Sequence, residues 1–114
     1  MCLLYYALRI RMKQAKFNIG QIVHHRLFDY RGVIYDVDPV FNGTDEWYEV
    51  VAKSRPPKNE PWYRVLVDKA THETYVAEQN LESCEKLDPV KHPLVNHYFE
   101  QFQDGRYLQN QTNN

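Results

Sequence analysis

The histidines and aspartates of the first two predicted strands are the side chains best suited to chemistry. His24 and His25 are adjacent, while Asp36 and Asp38 share one face of the next strand. Imidazole and carboxylate groups at such positions can bind a divalent metal or transfer protons. No third ligand pattern and no activated nucleophile accompanies them, so a solvated strand face with histidines at its rim is the favoured interpretation.

The remaining candidates for chemistry lie outside any catalytic motif. Cys84 has no neighbouring signature of a reactive thiolate, and a half-buried structural cysteine is the interpretation we favour. The four glycines are isolated, so the sequence has no phosphate-binding loop. His72, His92 and His97 are spread over a turn and a predicted helix, where capping or packing explains them. We therefore expect no catalytic residue, no metal and no cofactor, and a protein that is not an enzyme.

A segment rich in aromatic and basic residues is a better candidate for binding. Aromatic rings can stack on bases, and adjacent cations can contact phosphates. Alternatively, the aromatics belong to the core and rim of the fold, and the charges solvate a loop stiffened by proline. The predicted partner- or DNA-binding residues are Trp47, Tyr48, Lys53, Arg55, Lys58, Trp62 and Arg64.

The charges are balanced overall but segregated along the chain. The net charge of −1 argues against a protein that coats DNA through a large surplus of lysine and arginine. Residues 36–50 hold five acids and no bases, whereas residues 53–64 hold four bases and one acid. Such a dipolar surface suits protein recognition, or self-assembly between unlike patches, at least as well as DNA.

The elements that must position these residues are mainly β-strands. The 114 residues fit one domain. Short strands at this spacing predict a small barrel or sandwich, with a long connection over 39–61 in which 45–52 can form a helical turn. Asp29-Tyr30-Arg31-Gly32 is expected to turn the chain at a glycine that tolerates positive φ. The predicted strands cover 21–27, 33–38, 62–68, 74–77 and 81–85.

A short C-terminal helix is predicted after Pro93. Val95, Phe99 and Phe102 are spaced by four and three residues, which is typical of an apolar helical stripe, and Gly105 can end the helix. We expect this helix to cover an open end of the barrel.

Residues near the two termini are expected to lie outside the domain. Residues 1–14 are interpreted as a flexible extension, or as residues upstream of the true start, since Met12 is a plausible alternative start. A short pairing strand within residues 1–11 is the less favoured alternative. The apolar run in this segment is too short to span a bilayer and poorly matches a signal peptide. The domain is predicted over 15–108, followed by a disordered tail over 109–114. Two cysteines with no disulfide framework favour a reducing cytosol.

Several strings of residues are specific when they are taken together. They are Lys16-Phe17-Asn18-Ile19-Gly20-Gln21-Ile22-Val23-His24-His25, Asp29-Tyr30-Arg31-Gly32-Val33, Asp36-Val37-Asp38-Pro39, Thr44-Asp45-Glu46-Trp47-Tyr48, Arg55-Pro56, Pro61-Trp62-Tyr63, Thr74-Tyr75-Val76-Ala77-Glu78-Gln79-Asn80-Leu81 and His92-Pro93-Leu94. Through these strings the chain is similar, over roughly residues 15–108, to the HspQ family, also called the YccV-like or hemimethylated-DNA-binding domain family. Residues 1–11 have no counterpart in that family, and Arg64 stands where relatives often carry histidine.

The resemblance implies a fold and a function. The fold would be a small SH3-like antiparallel barrel of about five strands. The function would be that of a cytosolic bacterial heat-shock protein that acts with the Lon protease to promote degradation of selected proteins, such as the replication initiator DnaA. The alternative is a module that binds hemimethylated double-stranded DNA near the replication origin. A homo-oligomer, with the trimer as the favoured state, is also implied, and no membrane association.

Overall fold

A computed structural model describes residues 14–109 of the chain. The predicted flexible extension, apart from Gln14, and the predicted tail from residue 110 onward lie outside the described residues. The elements are β1 (Ile22–His25), β2 (Arg31–Asp38), α1 (Asp45–Val51), β3 (Trp62–Val67), β4 (Glu73–Ala77), a 3-10 turn (Glu78–Asn80), β5 (Leu81–Ser83), α2 (Val95–Tyr98), β6 (Phe99–Gln103) and β7 (Arg106–Gln109).

Five strands form one antiparallel sheet in the order β4-β3-β2-β1-β5. The mainly β architecture, the five strands and the helical turn in the long connection are confirmed. The sheet is open rather than closed into a barrel, because β4 and β5 are its edges and do not pair within residues 14–109. β5 has only three residues, which leaves little backbone for closure.

A bulge in β2 changes the alternation of its side chains. Ile34 pairs with Val65, and Asp36 pairs with Arg64, so Tyr35 is the extra residue. Ile34 consequently packs on the same face as Val37, while Val33 and Tyr35 pack on the other. A simple alternation, which would place Val33, Tyr35 and Val37 on one face, therefore does not hold beyond the bulge.

Both faces of the sheet are covered. One face buries a cluster that includes Phe17, Val23 and Tyr63. The other face is covered at one end by α1 and at the other end by the C-terminal elements, which bring Val95 and Tyr107 onto it. Because β1 and β3 are buried on two sides, apolar residues occur on both of their faces.

The C-terminal segment differs in part from the prediction of a short helix that ends at Gly105. The short helix is present, but it ends at Tyr98, and Phe99 begins a β-hairpin of β6 and β7. Asp104 and Gly105 both have positive φ, at 54° and 79°. Asp-Gly with this geometry is the usual two-residue hairpin turn, so Gly105 turns a hairpin instead of ending a helix.

The turn between β1 and β2 also differs in detail. Asp29 supplies the positive φ, at 56°, while Gly32 lies inside β2. Gly32 is required for a different reason, since a Cβ there would lie 2.4 Å from the carbonyl oxygen of Leu66 on β3. Strand packing, and not a left-handed turn, accounts for this glycine.

Candidate functional site

The helix α1 positions two of the predicted binding residues against the sheet. Thr44 caps the helix, its hydroxyl accepting from the Trp47 N–H at 3.1 Å. Tyr48 is buried, and its hydroxyl donates to the carbonyl of Pro56 at 2.7 Å, which ties the following loop to the helix. Residues 45–58 therefore form a fixed cover over one end of the sheet.

An aromatic cluster fills the space below α1. Phe41 lies 4.9 Å from Trp62 between ring centroids, and Trp62 lies 5.2 Å from Tyr75. Trp62 is only 1% exposed, and its indole N–H donates to the carbonyl of Pro57. Trp47 is half-buried at the edge of the cluster. Burial, together with the carboxylate of Asp38 that accepts its hydroxyl, raises the pKa of Tyr75 to about 12.

Two of the predicted basic residues are paired around α1. Arg55 lies 3.1 Å from the carboxylate of Glu49 and donates to the carbonyl of Tyr48 near the end of the helix. Lys58 lies 3.2 Å from Asp45, and its ammonium is 4.3 Å from the ring centroid of Tyr48. These contacts neutralise the two cations, and Arg55 also complements the negative C-terminal end of α1.

The other two basic residues have different environments. Arg64 lies 3.5 Å from Asp38 and 3.8 Å from Asp36, and its guanidinium is 4.5 Å from the Tyr75 ring centroid. Lys53 is exposed and has no ion-pair partner within residues 14–109. The predicted residues are thus brought into one region, where three of the four cations have partners.

The four residues considered for a metal site are separated. His24 lies 2.7 Å from Asp29 and 2.8 Å from Glu82, and hydrogen bonds to these carboxylates raise its pKa. His24 pairs with Arg31 on β2. Arg31 precedes Asp36 by five residues, so His24 and Asp36 are about 17 Å apart along the strand direction. Asp36 and Asp38 face Arg64 instead. The described residues contain no group of three side chains placed to hold a metal.

His25 has a different environment from its neighbour. Burial lowers its pKa, and its ring stacks on Phe28 and Tyr30 at centroid distances of 4.7 and 5.0 Å. Its Nδ1 accepts from the backbone N–H groups of Leu27 and Phe28 at 3.1 and 3.0 Å. The ring is therefore neutral, with its proton on Nε2.

A groove that the sequence did not reveal runs along the edge strand β4. Its volume is about 620 Å³. One wall is the β1–β2 turn, with Leu27 and Phe28 exposed by 59% and 73%, and the other is the end of α1, with Val51 exposed by 51%. An exposed Leu-Phe pair after a strand is the one signal in the sequence, and it does not reveal which edge lies beside it.

The open sheet with its covered faces places the chain in the class of small, mainly β domains. The family described as "Hemimethylated DNA-binding protein YccV like" matches residues 15–106. The chain belongs to this YccV-like family, which confirms the resemblance seen in the sequence. The family is one of DNA-binding and regulatory domains and is not known as catalytic. No helix among residues 14–109 is long and apolar enough to cross a membrane.

Relatives with the same domain include much longer proteins. The chain is 32% identical over 96 residues to F-box only protein 21 of Homo sapiens, and 31% identical to that of Mus musculus. The match covers 82% of this chain and 15% of each relative. The likeness thus concerns one domain of those proteins and leaves most of their length unmatched.

Proposed function

We propose that this chain is a non-catalytic recognition domain that promotes Lon-dependent degradation of selected cytosolic proteins, such as the replication initiator DnaA. The observation that carries the proposal is the exposed apolar groove at β4, which is flanked by Leu27, Phe28 and Val51. Contiguous exposed apolar side chains on a small domain are typical of a protein-binding surface. The family resemblance supplies the protease and the substrate class.

The electrostatics of the described residues support a protein partner over DNA. Arg55, Lys58 and Arg64 each have an acidic partner within 3.8 Å. A phosphate that approached them would have to displace carboxylates already in place. Two of the three predicted aromatics, Tyr48 and Trp62, are buried and cannot stack on a base without unfolding of the loop.

A degradation assay with purified Lon tests the proposal. DnaA is incubated with Lon and ATP at increasing concentrations of this protein, and the remaining DnaA is measured over time. We expect the rate of degradation to rise and then saturate. A generic Lon substrate that is unrelated to the proposed set serves as control. An unchanged DnaA half-life over the full concentration range would contradict the proposal.

Binding of hemimethylated DNA is the second candidate function, favoured by the family's description. Lys53, which lies in the same loop as the paired cations, is available for a phosphate contact. The test is titration of labelled duplexes that differ only in methylation, followed by fluorescence anisotropy. Tighter binding to the hemimethylated duplex is expected under this function, and equal affinities for both duplexes would leave only nonspecific attraction.

A further inference from the structure

The outer edge of β4 presents unused backbone hydrogen-bonding groups. Two hydrogen bonds at the ends of the β3–β4 ladder show which residue pairs are hydrogen-bonded. The N–H of Val67 donates to the carbonyl of His72, and the N–H of Glu78 donates to the carbonyl of Pro61. Because hydrogen-bonded pairs alternate along an antiparallel ladder, the backbone groups of Glu73, Tyr75 and Ala77 point away from β3. No other element pairs with β4 within the described chain.

The groove surrounds this edge with apolar side chains on both sides. Trp47 and Val51 of α1 line one side, together with Tyr75. Phe28 and Tyr30 line the other side, together with Thr74. A strand added to β4 would alternate its side chains between these two walls, and both walls favour apolar groups.

His25 also lines the groove. Its Nδ1 accepts from two backbone N–H groups, so the proton of the neutral ring lies on Nε2. The Nε2–H has no hydrogen-bond acceptor among residues 14–109, and it can therefore donate to a carbonyl or carboxylate oxygen of a ligand in the groove.

One end of the groove is basic. Lys53 and Ser54 line it beside Asn80, whose amide donates to the Ser54 hydroxyl at 3.3 Å. Lys53 forms no ion pair within the part of the chain that is described. This end complements a carboxylate.

We infer that the groove binds an extended peptide, which adds to β4 as a further strand and combines a short apolar run with an acidic residue at the Lys53 end. The inference rests on the proposed function, since it specifies how a protein substrate is recognised. Apolar segments of this kind are buried in folded proteins and exposed in unfolded ones. The site would therefore select unfolded or disordered substrate segments.

The chain's own N-terminal segment is a poorer match to the groove. Residues 1–13 are apolar over their first part, but Arg9, Arg11 and Lys13 lie at the end that joins the described chain. That chain passes Lys16, whose backbone N–H donates to Glu78 directly after β4. If this segment occupied the groove, its cations would meet Lys53 as like charges, whereas an acidic peptide would be attracted.

Strand addition can be tested by peptide titration. The probe is a fluorescent synthetic peptide with a central run of valine and leucine and two aspartates at one end, compared with a scrambled peptide in which lysines replace the aspartates. We expect saturable binding of the acidic peptide and binding at least about tenfold weaker for the lysine peptide. Equal binding of both would overturn the charge assignment and with it the inference.

Amide hydrogen exchange followed by NMR provides a readout specific to strand pairing. On addition of the peptide, exchange at the N–H groups of Glu73, Tyr75 and Ala77 should slow by about tenfold or more. Thr74 and Val76, which already donate to β3, should change little and act as internal controls. Binding that leaves the first three amides unprotected would overturn strand addition.

Two neighbouring valines on α1 supply a matched pair of variants. Val51 lines the groove, whereas Val50 is 67% exposed and does not line it. We expect Val51→Glu to weaken peptide binding by at least about tenfold and Val50→Glu to change it by less than about twofold. Because both side chains are exposed, both variants should fold, and matching circular dichroism spectra would verify this. Equal effects of the two changes would contradict the site.

Other occupants of the edge are distinguishable outcomes. If the groove holds residues 1–13 of the same chain, removing residues 1–11 will create peptide binding that the full chain lacks. If it holds a second copy, Val51→Glu will convert an oligomer to a monomer in sedimentation, and the full chain will bind no peptide. Either result would overturn the inference.

The variants also separate this inference from the proposed function. If DnaA is degraded faster in the presence of the protein and Val51→Glu abolishes this, both stand. If the acceleration survives Val51→Glu undiminished, the peptide site is overturned while the Lon-dependent function stands. If the peptide binds as expected but degradation never changes, the peptide site stands and the Lon-dependent function is overturned.

Discussion

At the scale of single residues, two adjacent histidines have opposite electrostatic environments. Hydrogen bonds to Asp29 and Glu82 raise the pKa of His24 above its ordinary 6.5. The pKa of His25 is lowered by burial, and the nearby His24 adds to this effect. The two residues should therefore contribute to stability with opposite pH dependence, and their contributions partly cancel in the wild-type chain.

His24 should stabilise the fold in acidic solution. A group whose pKa rises on folding contributes stability that is complete below its unfolded pKa and is lost as pH rises through the folded value. We expect His24→Gln to lower the free energy of unfolding by about 1 kcal/mol or less below pH 6, and by progressively less above pH 7. Urea denaturation at a series of pH values measures this. A stability difference that is constant with pH would show that the pairing contributes nothing electrostatic.

His25 should show the reverse pattern. Its lowered pKa means that its neutral form contributes stability above pH 6.5, which is lost as pH falls. In His25→Asn the side-chain oxygen can replace Nδ1 as acceptor for the N–H groups of Leu27 and Phe28. We expect this variant to lose less stability than wild type between pH 7 and pH 5, as followed by the same urea titrations. A steeper acid dependence in the variant would contradict the assignment.

At the scale of elements, the strands of the sheet could be predicted from sequence, but the tail could not. The aromatic and β-branched residues of β3 and β4 favour strands whichever neighbours they have. Val95, Phe99 and Phe102 fit a helical spacing, yet Asp104-Gly105 specifies a hairpin turn, and the turn decides the structure. Sheet closure depends on the pairing of distant edges, and the groove depends on which loops flank β4. Neither feature can be predicted from the spacing of residue types along the chain.

The hairpin turn gives a prediction at this scale. Gly105 has φ of 79°, and a Cβ there would lie 2.8 Å from the Leu87 side chain. We expect Gly105→Ala to destabilise the fold by about 1–3 kcal/mol, because the strained turn holds Tyr107 against the sheet. Asp104→Asn is the control, since asparagine tolerates positive φ, and it should change stability by less than about 0.5 kcal/mol. Thermal or urea denaturation compares the two, and equal stabilities would mean that the hairpin is dispensable.

At the scale of the whole molecule, the distribution of charge matters more than its sum. The net charge is −1, and the bases of residues 53–64 suggest a basic surface when they are counted along the sequence. The fold places acidic partners beside Arg55, Lys58 and Arg64. A basic stretch in sequence thus becomes a nearly neutral surface, which could not be foreseen without the positions of Glu49, Asp45 and Asp38.

This neutralisation predicts a weak salt dependence for any binding to DNA. Each phosphate contact contributes about −0.9 to the slope of log K against log salt concentration for duplex DNA. If Lys53 is the loop cation available for such a contact, the slope should lie near −1, and Lys53→Ala should bring it close to zero. Arg55→Ala should not flatten it, because Arg55 is held by Glu49 and the carbonyls of α1. Anisotropy titrations of a hemimethylated duplex at several salt concentrations measure the slope. A slope of −4 or steeper that Arg55→Ala reduces would mean that the ion pairs of α1 open to bind phosphate, and that the basic segment functions as its sequence first suggested.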